Sequence, residues 1–414
     1  QHRGRDGRPP LRPATLMNAR GVLAGVRVLD FGRYVAGPYC ATLLGYLGAE
    51  VIRVEKRDGG EDRYIAPIAA GGEGGVFFQT ACNKQSLTLD PATPQGREVV
   101  RRLVREADIV VANLPPASLK SLGLDYASLQ AIRPDIILVT QTSFGDRGPL
   151  ANRGGFDGVG QAMSGAMYMS GLPGAPAKAA APYVDYSTAV LSAFGALAAL
   201  MHRQQTGEGQ EVKASLLGTA LAVFGSHLVE QGALGINRIP TGNRVQTSAP
   251  SDVFATRDGH VLTHCVGNGL FKRWARLMGD APRWLDDARF QSDQSRADHS
   301  AEILARMREW CATRTTAEAL AELDAAGLPA GPVHTLQQAL DEPQVAAMGF
   351  LASVAGYPGL EQPVAVPNLP VELTATPGGI RERPPLLGEH TEAILTRLGY
   401  SAAEIAELRA AQVI

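Results

Sequence analysis

The chain has 414 residues, 45% of them hydrophobic and 19% charged, and its 39 Lys+Arg against 41 Asp+Glu leave a net charge of −2. At roughly 100–200 residues per domain this length gives two or three domains with ample core, and the composition is that of a folded globular protein rather than a disordered one. A nearly neutral chain has no overall pull toward nucleic acid or an anionic membrane, so neither is an expected partner.

In chain order, the opening QHRGRDGRPPLRPATL is rich in Arg and Pro without an apolar stretch, and residues 1–16 read as a disordered extension before Met17. From Val26, VRVLDFG reads as a strand, Gly37-Pro38 opens a helix through CATLLGYLG, and AEVIRVEK is a second strand. The glycines of GGEGG (71–75) read as a flexible loop before a strand-like VFFQT. QSLTLD, a helix TPQGREVVRRLVREA, a strand DIVVAN, a helix SLKSLGLDYASLQAI and a strand DIILVTQT continue the alternation. Such βαβ units predict an α/β fold, a parallel sheet with right-handed crossovers and helices on both faces.

A long helix is expected from Tyr186 to about Arg203, then a turn at TGEGQ (206–210) and an apolar helix from about Ala214 to Val229. The apolar run Ala189–Met201 is by itself too short to span a bilayer. Beyond Gly232 the strands VFAT and HVLTHCV flank an Arg-Asp-Gly turn, and helices follow at FKRWARLMG, SAEILARMREWC and TAEALAELDAAG. The division is therefore 17–229 for the first part of a large domain, 230–335 for a small α+β domain, and 336–414 for a return segment ending in the helical pair TEAILTRLG and AAEIAELRAAQV. Cys40, Cys82, Cys265 and Cys311 lie far apart and read as reduced thiols of a cytoplasmic protein.

Several chemistries find no motif. There is no G-x-G-x-x-G after a strand and no G-x-x-x-x-G-K-[ST], so neither a dinucleotide nor a nucleoside triphosphate is expected as cofactor. The eight histidines lack ligand spacing, His260 and His264 read as polar strand residues, and no metal is expected. Ser164 has alanines (Ala162, Ala166) where a nucleophile elbow needs glycines. Basic groups near predicted strand ends, Lys56, Arg57 and Lys84, suit either a phosphorylated ligand at the carboxyl edge of a sheet or a solvated loop. Asp185 stands immediately before the long apolar helix. It is either a plain helix cap or a carboxylate nucleophile held at a helix start, where amide donors position it and stabilise an oxyanion.

The stretches GVRVLDFGRYVAGPYCATLLGYLGAEVIRVEK, CNKQSLTLD, FDGVGQAMSG, VDYSTA, TGEGQ, TGNR, AGPV (330–333) and PPLLGEHT (384–391) occur in this order over nearly the whole chain. They resemble the family III CoA transferases, which include formyl-CoA:oxalate and carnitine CoA transferases. The resemblance implies a Rossmann-like large domain built from the N-terminal half and the C-terminal tail, a smaller domain, and a homodimer of interlocked rings. It implies an acyl-CoA donor and a carboxylic acid acceptor. The family nucleophile falls on Asp185, which would attack the thioester to give an aspartyl mixed anhydride and CoA thiolate; thiolate return, acceptor attack and a second thiolate attack complete the transfer. The thioester's activation energy is conserved through the anhydride, so no ATP site is required.

The same resemblance assigns coenzyme A contacts to Lys56, Asn113, Leu114 and Leu89 on the adenine side, to Val35 and Ala36 in the loop facing the thioester, and to Phe144 and Gly145 beside the pantetheine. Ser121 stands where the family has an arginine, with Lys120 adjacent. Val35 stands where the formyl-CoA enzyme has a glutamine, and TGNRVQTSAP replaces its glycine-rich shielding loop, which argues against oxalate or formate chemistry. Met163, Met167, Tyr168 and Met169 suit a larger acyl group, although a Met stripe at this spacing reads first as core. The alternative activity, a 2-methylacyl-CoA racemase, shares the fold and an aspartate at 185. Those enzymes carry a histidine before the aspartate equivalent to Asp157, where this chain has Phe156.

Overall fold

The computed structural model describes residues 21–414, so the extension expected at 1–16 lies outside the described residues. Short β-branched runs alternating with helices give β1 (Arg27–Asp30), α1 (Ala36–Tyr46), β2 (Glu50–Glu55), α2 (Gly75–Ala81), β3 (Lys84–Thr88), α3 (Pro94–Glu106) and β4 (Ile109–Ala112). They are followed by α4 (Pro116–Leu122), α5 (Tyr126–Ile132), β5 (Ile137–Thr142), α6 (Asp157–Met163), α7 (Ala166–Met169), α8 (Tyr183–Thr206) and β6 (Glu211–Ser215). The six strands form one parallel sheet in the doubly wound order β3-β2-β1-β4-β5-β6.

Strand alternation divides the core in two. Val28, Val51, Ile109, Val111, Ile137 and Val139 face α1 and α8, where Leu44, Ala189, Ala193 and Ala196 cover them. Leu29, Ile52, Leu87, Val110 and Leu138 face the opposite layer, with Val99 and Leu103 of α3. A sheet buried on both faces needs strands apolar on both sides, which is why these runs read as nearly continuous hydrophobic stretches.

Three elements differ from the sequence expectation. VFFQT is helical, as α2, because Phe77 and Phe78 bury on one side of it and the Arg63 guanidinium covers the Phe77 ring at 3.9 Å, so tertiary packing overrides β propensity. EVKAS forms the edge strand β6, parallel to β5, where a helix was expected from Ala214. The expected helix 118–132 is two, because Gly123 at φ +67° caps α4 and the Asp125 side chain accepts the Ser128 N–H to start α5. Helix α8 spans 24 residues, long and apolar enough by length and composition to cross a membrane; its Ala189, Ala193, Ala196 and Ala199 side is buried in the core.

The chain continues through α9 (Leu216–Val223), α10 (Gly225–Leu234), β7 (Ser251–Ala255), β8 (His260–His264) and α11 (Asn268–Leu277). Then come α12 (Ala281–Leu285), α13 (Asp293–Asp298), α14 (Ser300–Ala312), α15 (Thr316–Ala325), β9 (Ala330–Pro332) and α16 (Leu336–Leu340). The last elements are α17 (Pro343–Ala347), β10 (Leu351–Val354), β11 (Val364–Pro367), α18 (Thr391–Arg397) and α19 (Ala402–Ala410).

Two compact units result. The first runs to Ser164 and adds Ala180–Leu228 and Gln344–Ile414; the second is Gly165–Ala179 with Val229–Pro343. The second unit has an antiparallel sheet β7-β8-β9 over a core of Phe254, Trp274, Trp284, Met307 and Trp310. Residues 165–179 belong to it, unlike in the sequence division, because Gly242 N–H donates to Gly171 O at 2.9 Å and a Leu172–Ala175 bridge closes the excursion. The return begins at Gln344 rather than 336. In the return segment Ile394, Leu395, Ile405 and Leu408 complete the α3 side of the sheet, and Thr391 Oγ1 accepts the Thr88 N–H at 3.1 Å.

All four cysteines are buried, and desolvation pushes every thiol up, to about 12 for Cys82 and Cys265 and about 11 for Cys311. At the carboxyl end of β1 a fully buried ion pair shapes the following loop. Lys84 Nζ donates to Asp30 Oδ2 at 2.8 Å and to Pro38 O at 2.7 Å, while Asp30 Oδ1 accepts the Gly32 N–H at 2.8 Å. Lys84→Met removes the hydrogen-bonded partner of the buried Asp30 charge and leaves it only the Arg53 guanidinium as an ionic partner, 4.0 Å away. Urea unfolding of this variant is expected to show a loss of about 3–5 kcal/mol, with α1 the element most exposed to hydrogen exchange.

Candidate active site

The site builds outward from the start of α8. Its N-cap is Pro182, which offers no side-chain acceptor, so the first amides must be satisfied otherwise. Tyr183 N–H reaches Ala181 O and Tyr186 N–H reaches Pro182 O. Val184 and Asp185 both donate to one oxygen, Asp157 Oδ1, at 2.7 and 3.1 Å. The other oxygen, Oδ2, accepts from Gln161 Nε2 at 2.6 Å, and Asp157 is only 6% exposed. Asp157 is the first residue of α6, so a helix start on one element caps the helix start of another.

Asp185 is therefore the third residue of α8, inside the helix rather than before it, and is not its cap. Burial, and secondly the Asp157 charge beside it, push its carboxyl from an ordinary 3.8 up to about 7. The expected use of the α8 amides as oxyanion donors does not hold, because Asp157 and local carbonyls occupy them. Around Asp185 stand Tyr186, whose hydroxyl donates to Gln79 Oε1 of α2 at 2.5 Å, and Tyr39 of α1, edge-on to Tyr186 with centroids 4.9 Å apart. Burial pushes the Tyr39 phenol up and the Tyr186 phenol up to about 12.

The resemblance-assigned residues fall into groups. Val35 caps α1 and is buried, and Ala36 packs against Val184, Leu216, Ala220 and Tyr183, which brings this loop to the Asp185 end of α8. Tyr34, at φ 59°, meets Phe156 edge-on at 5.2 Å, one residue from Asp157. Asn113 grips the same loop: its Oδ1 accepts Arg33 N–H at 2.7 Å and its Nδ2 donates to Arg33 O at 2.8 Å. A Cβ on Gly37 would lie 2.8 Å from Asn113 Oδ1, so this close approach needs glycine. Phe144 and Gly145 are half-buried after β5, where Thr142 Oγ1 accepts the Gly145 N–H at 2.9 Å and Ser143 Oγ donates to Gly155 O at 3.0 Å.

Lys56 is exposed at the end of β2 and pairs with Glu61, which also faces Arg33 at 3.4 Å. Leu114 is half-buried at the edge of the α3-side core. Leu89 is not brought to the surface. Its side chain is 1% exposed within that core, and its backbone N–H donates to Glu55 O at 2.8 Å. Met163 and Tyr168 are exposed and Met167 and Met169 only half-buried, so the Met stripe is not core. Ser164 is buried with its hydroxyl on Gln161 O, and no group of three metal-ligating side chains occurs among the described residues.

Sequence reading missed Asp157, Gln161 and Gln79. An acidic residue in the first turn of a helix is so ordinary that Asp157 gives no signal by itself; its four-residue spacing to Gln161 is the one clue.

The sequence matches the model of CoA-transferase family III over residues 23–391. It is 34% identical over 404 residues to succinyl-CoA–D-citramalate CoA-transferase of Chloroflexus aurantiacus, covering 95% of this chain and 98% of the relative. It is 32% identical to succinate–glutarate CoA-transferase of Agrobacterium fabrum, covering 92% and 96%. The crystal structure of a CAIB/BAIF family protein from Brucella suis superposes with a TM-score of 0.81 at 32% identity, covering 92% of this chain and all of that one. The chain belongs to the family III CoA-transferases, enzymes that transfer coenzyme A between acyl-CoA and carboxylic acids.

The raised Asp185 carboxyl has a measurable cost. A folded-state value above the unfolded one gives stability that is fully present below about 4 and lost as pH rises through about 7. Asp185→Asn, neutral at every pH, is expected to melt above the parent at pH 8, with the difference shrinking toward pH 4.5; thermal unfolding across that range checks it.

Proposed function

We propose that this chain moves coenzyme A from an acyl-CoA donor to a free carboxylic acid with Asp185 as the nucleophile. One observation carries the reading: a partly desolvated carboxylate, raised to about 7, at the end of the helix that Val35 and Ala36 approach. A carboxylate is a poor nucleophile in water, and burial leaves it more basic and less shielded while still ionised in useful fraction at neutral pH. Asp185 attacks the donor carbonyl, the C–S bond breaks, and CoA leaves as thiolate from an acyl–aspartyl anhydride. The thiolate attacks the aspartyl carbonyl and releases the donor acid, the acceptor carboxylate displaces the thiolate from the resulting aspartyl thioester, and the thiolate finally takes the acceptor's acyl group, freeing Asp185.

In this reading Lys56 and Arg33 face the CoA phosphates, Asn113 fixes the β1–α1 loop with Leu114 beside the adenine, and the Phe144–Gly145 turn borders the pantetheine. Dicarboxylates recur in the names of the relatives, so succinyl-CoA is the first donor to test and dicarboxylic acids of four or five carbons the first acceptors. Phe156 offers no titratable group where a racemase would need its second proton carrier. A second copy of the chain, interlocked with the first, would cover apolar side chains left exposed on α8 to α10, among them Phe194, Met201, Val223 and Val229.

The test incubates the protein with succinyl-CoA and hydroxylamine, then maps modified residues by mass spectrometry. A hydroxamate at Asp185 is expected, and Asp185→Asn is expected to lose turnover by about a thousandfold or more while retaining CoA affinity. Turnover with no adduct at 185, or an active Asp185→Asn, overturns the nucleophile; α-proton exchange in heavy water without transfer would point to the racemase.

A further inference from the structure

The Asp157 carboxylate has no place in the transfer steps, yet it is buried, carries three hydrogen bonds and stands beside a second carboxylate. We propose that Asp157 is a positioning residue for the reaction: it caps the nucleophile's helix from another element and so sets both the direction and the basicity of Asp185. This rests on Asp185 being the nucleophile.

A simple cap would need neither the charge nor the second element found here. Helix starts are ordinarily capped locally by Ser, Thr, Asn or Asp, and α8 has Pro182 there instead. The acceptor comes from the start of α6 and is held in place by Gln161 four residues further on. Gly160 lets the two helices close up, since a Cβ there would lie 3.0 Å from Val184 Cγ1. A neutral acceptor would satisfy the same two amides without like-charge repulsion. The charge matters because the positive end of a helix draws a carboxylate in its first turn toward lower basicity, which weakens a nucleophile. An anion on the Val184 and Asp185 amides offsets that pull, and adds its own field to Asp185.

Other groups leave this role to Asp157. Toward α8, α1 brings Tyr39 and the buried Cys40, and α8 itself carries Tyr183 and Tyr186. Strand β6 brings Glu211 and Lys213, and Lys213 pairs with both Glu211 and Asp146; β5 and α9 contain no titratable side chain.

The experiment measures single-turnover release of CoA from acyl-CoA between pH 5 and 9 for the parent, Asp157→Asn and Asp157→Ala, with hydroxylamine mapping of the adduct and acyl-CoA affinity in parallel. Asp157→Asn keeps an oxygen for both amides. It is expected to form the adduct at Asp185 with affinity within about twofold, a midpoint about one pH unit lower and a plateau about tenfold slower. Asp157→Ala loses cap and charge together and is expected to fall about a hundredfold. If the alanine variant fails to fold, Asp157→Asn decides alone. An unchanged midpoint in Asp157→Asn, whether or not the plateau falls, reduces Asp157 to a structural cap and overturns the proposal. Absence of an adduct at Asp185 in the parent overturns the nucleophile reading instead, so the two failures are separate.

Discussion

The bond pattern on which the active-site end of the large unit depends is a single carboxylate oxygen shared by two backbone amides. Asp157 Oδ1 ties α6 to the first turn of α8, and these two helices flank the stretch in which the chain leaves the large unit at Ser164 and comes back at Ala180. Without that tie, α8 would begin at a proline with the buried Val184 N–H unpaired, at a cost of about 1–3 kcal/mol, and the part-buried Asp185 N–H unpaired beside it. One interaction thus closes an excursion of the chain, starts a 24-residue helix and places two acidic side chains together.

The parallel sheet supplies the frame for this arrangement. Loops at the carboxyl ends of its strands carry the residues around Asp185: the β1–α1 loop is held from other strands by Lys84 and Asn113, and the β5–α6 segment is closed on itself by Ser143 and Thr142. Side chains set on loops tied in this way keep a fixed geometry, and acyl transfer is a reaction in which small displacements are costly.

The sheet was legible because strands buried on both faces leave long apolar, β-branched runs, and because Pro94 and Gly207 punctuate the helices between them, whereas the stop at Gly123 was read through. The edge strand EVKAS was not, since its half-exposed pattern lacks those runs, and VFFQT misled because its aromatic residues pack as a helix under Arg63. Asp185 stood out only as an acid at a helix start, with its chemical meaning supplied by the resemblance. Its companion did not stand out at all. The pairing of 157 with 185 joins residues 28 positions apart through backbone amides, and amides carry no residue-specific signature for a sequence reader to find.

The burial of the four cysteines has a consequence for an enzyme that handles a thiol coenzyme. Cys40, Cys82, Cys265 and Cys311 are all enclosed, and desolvation holds their protons on. Under oxidising conditions free coenzyme A therefore meets no accessible protein cysteine with which to form a mixed disulfide, and thiol-directed alkylating agents should leave the native enzyme untouched.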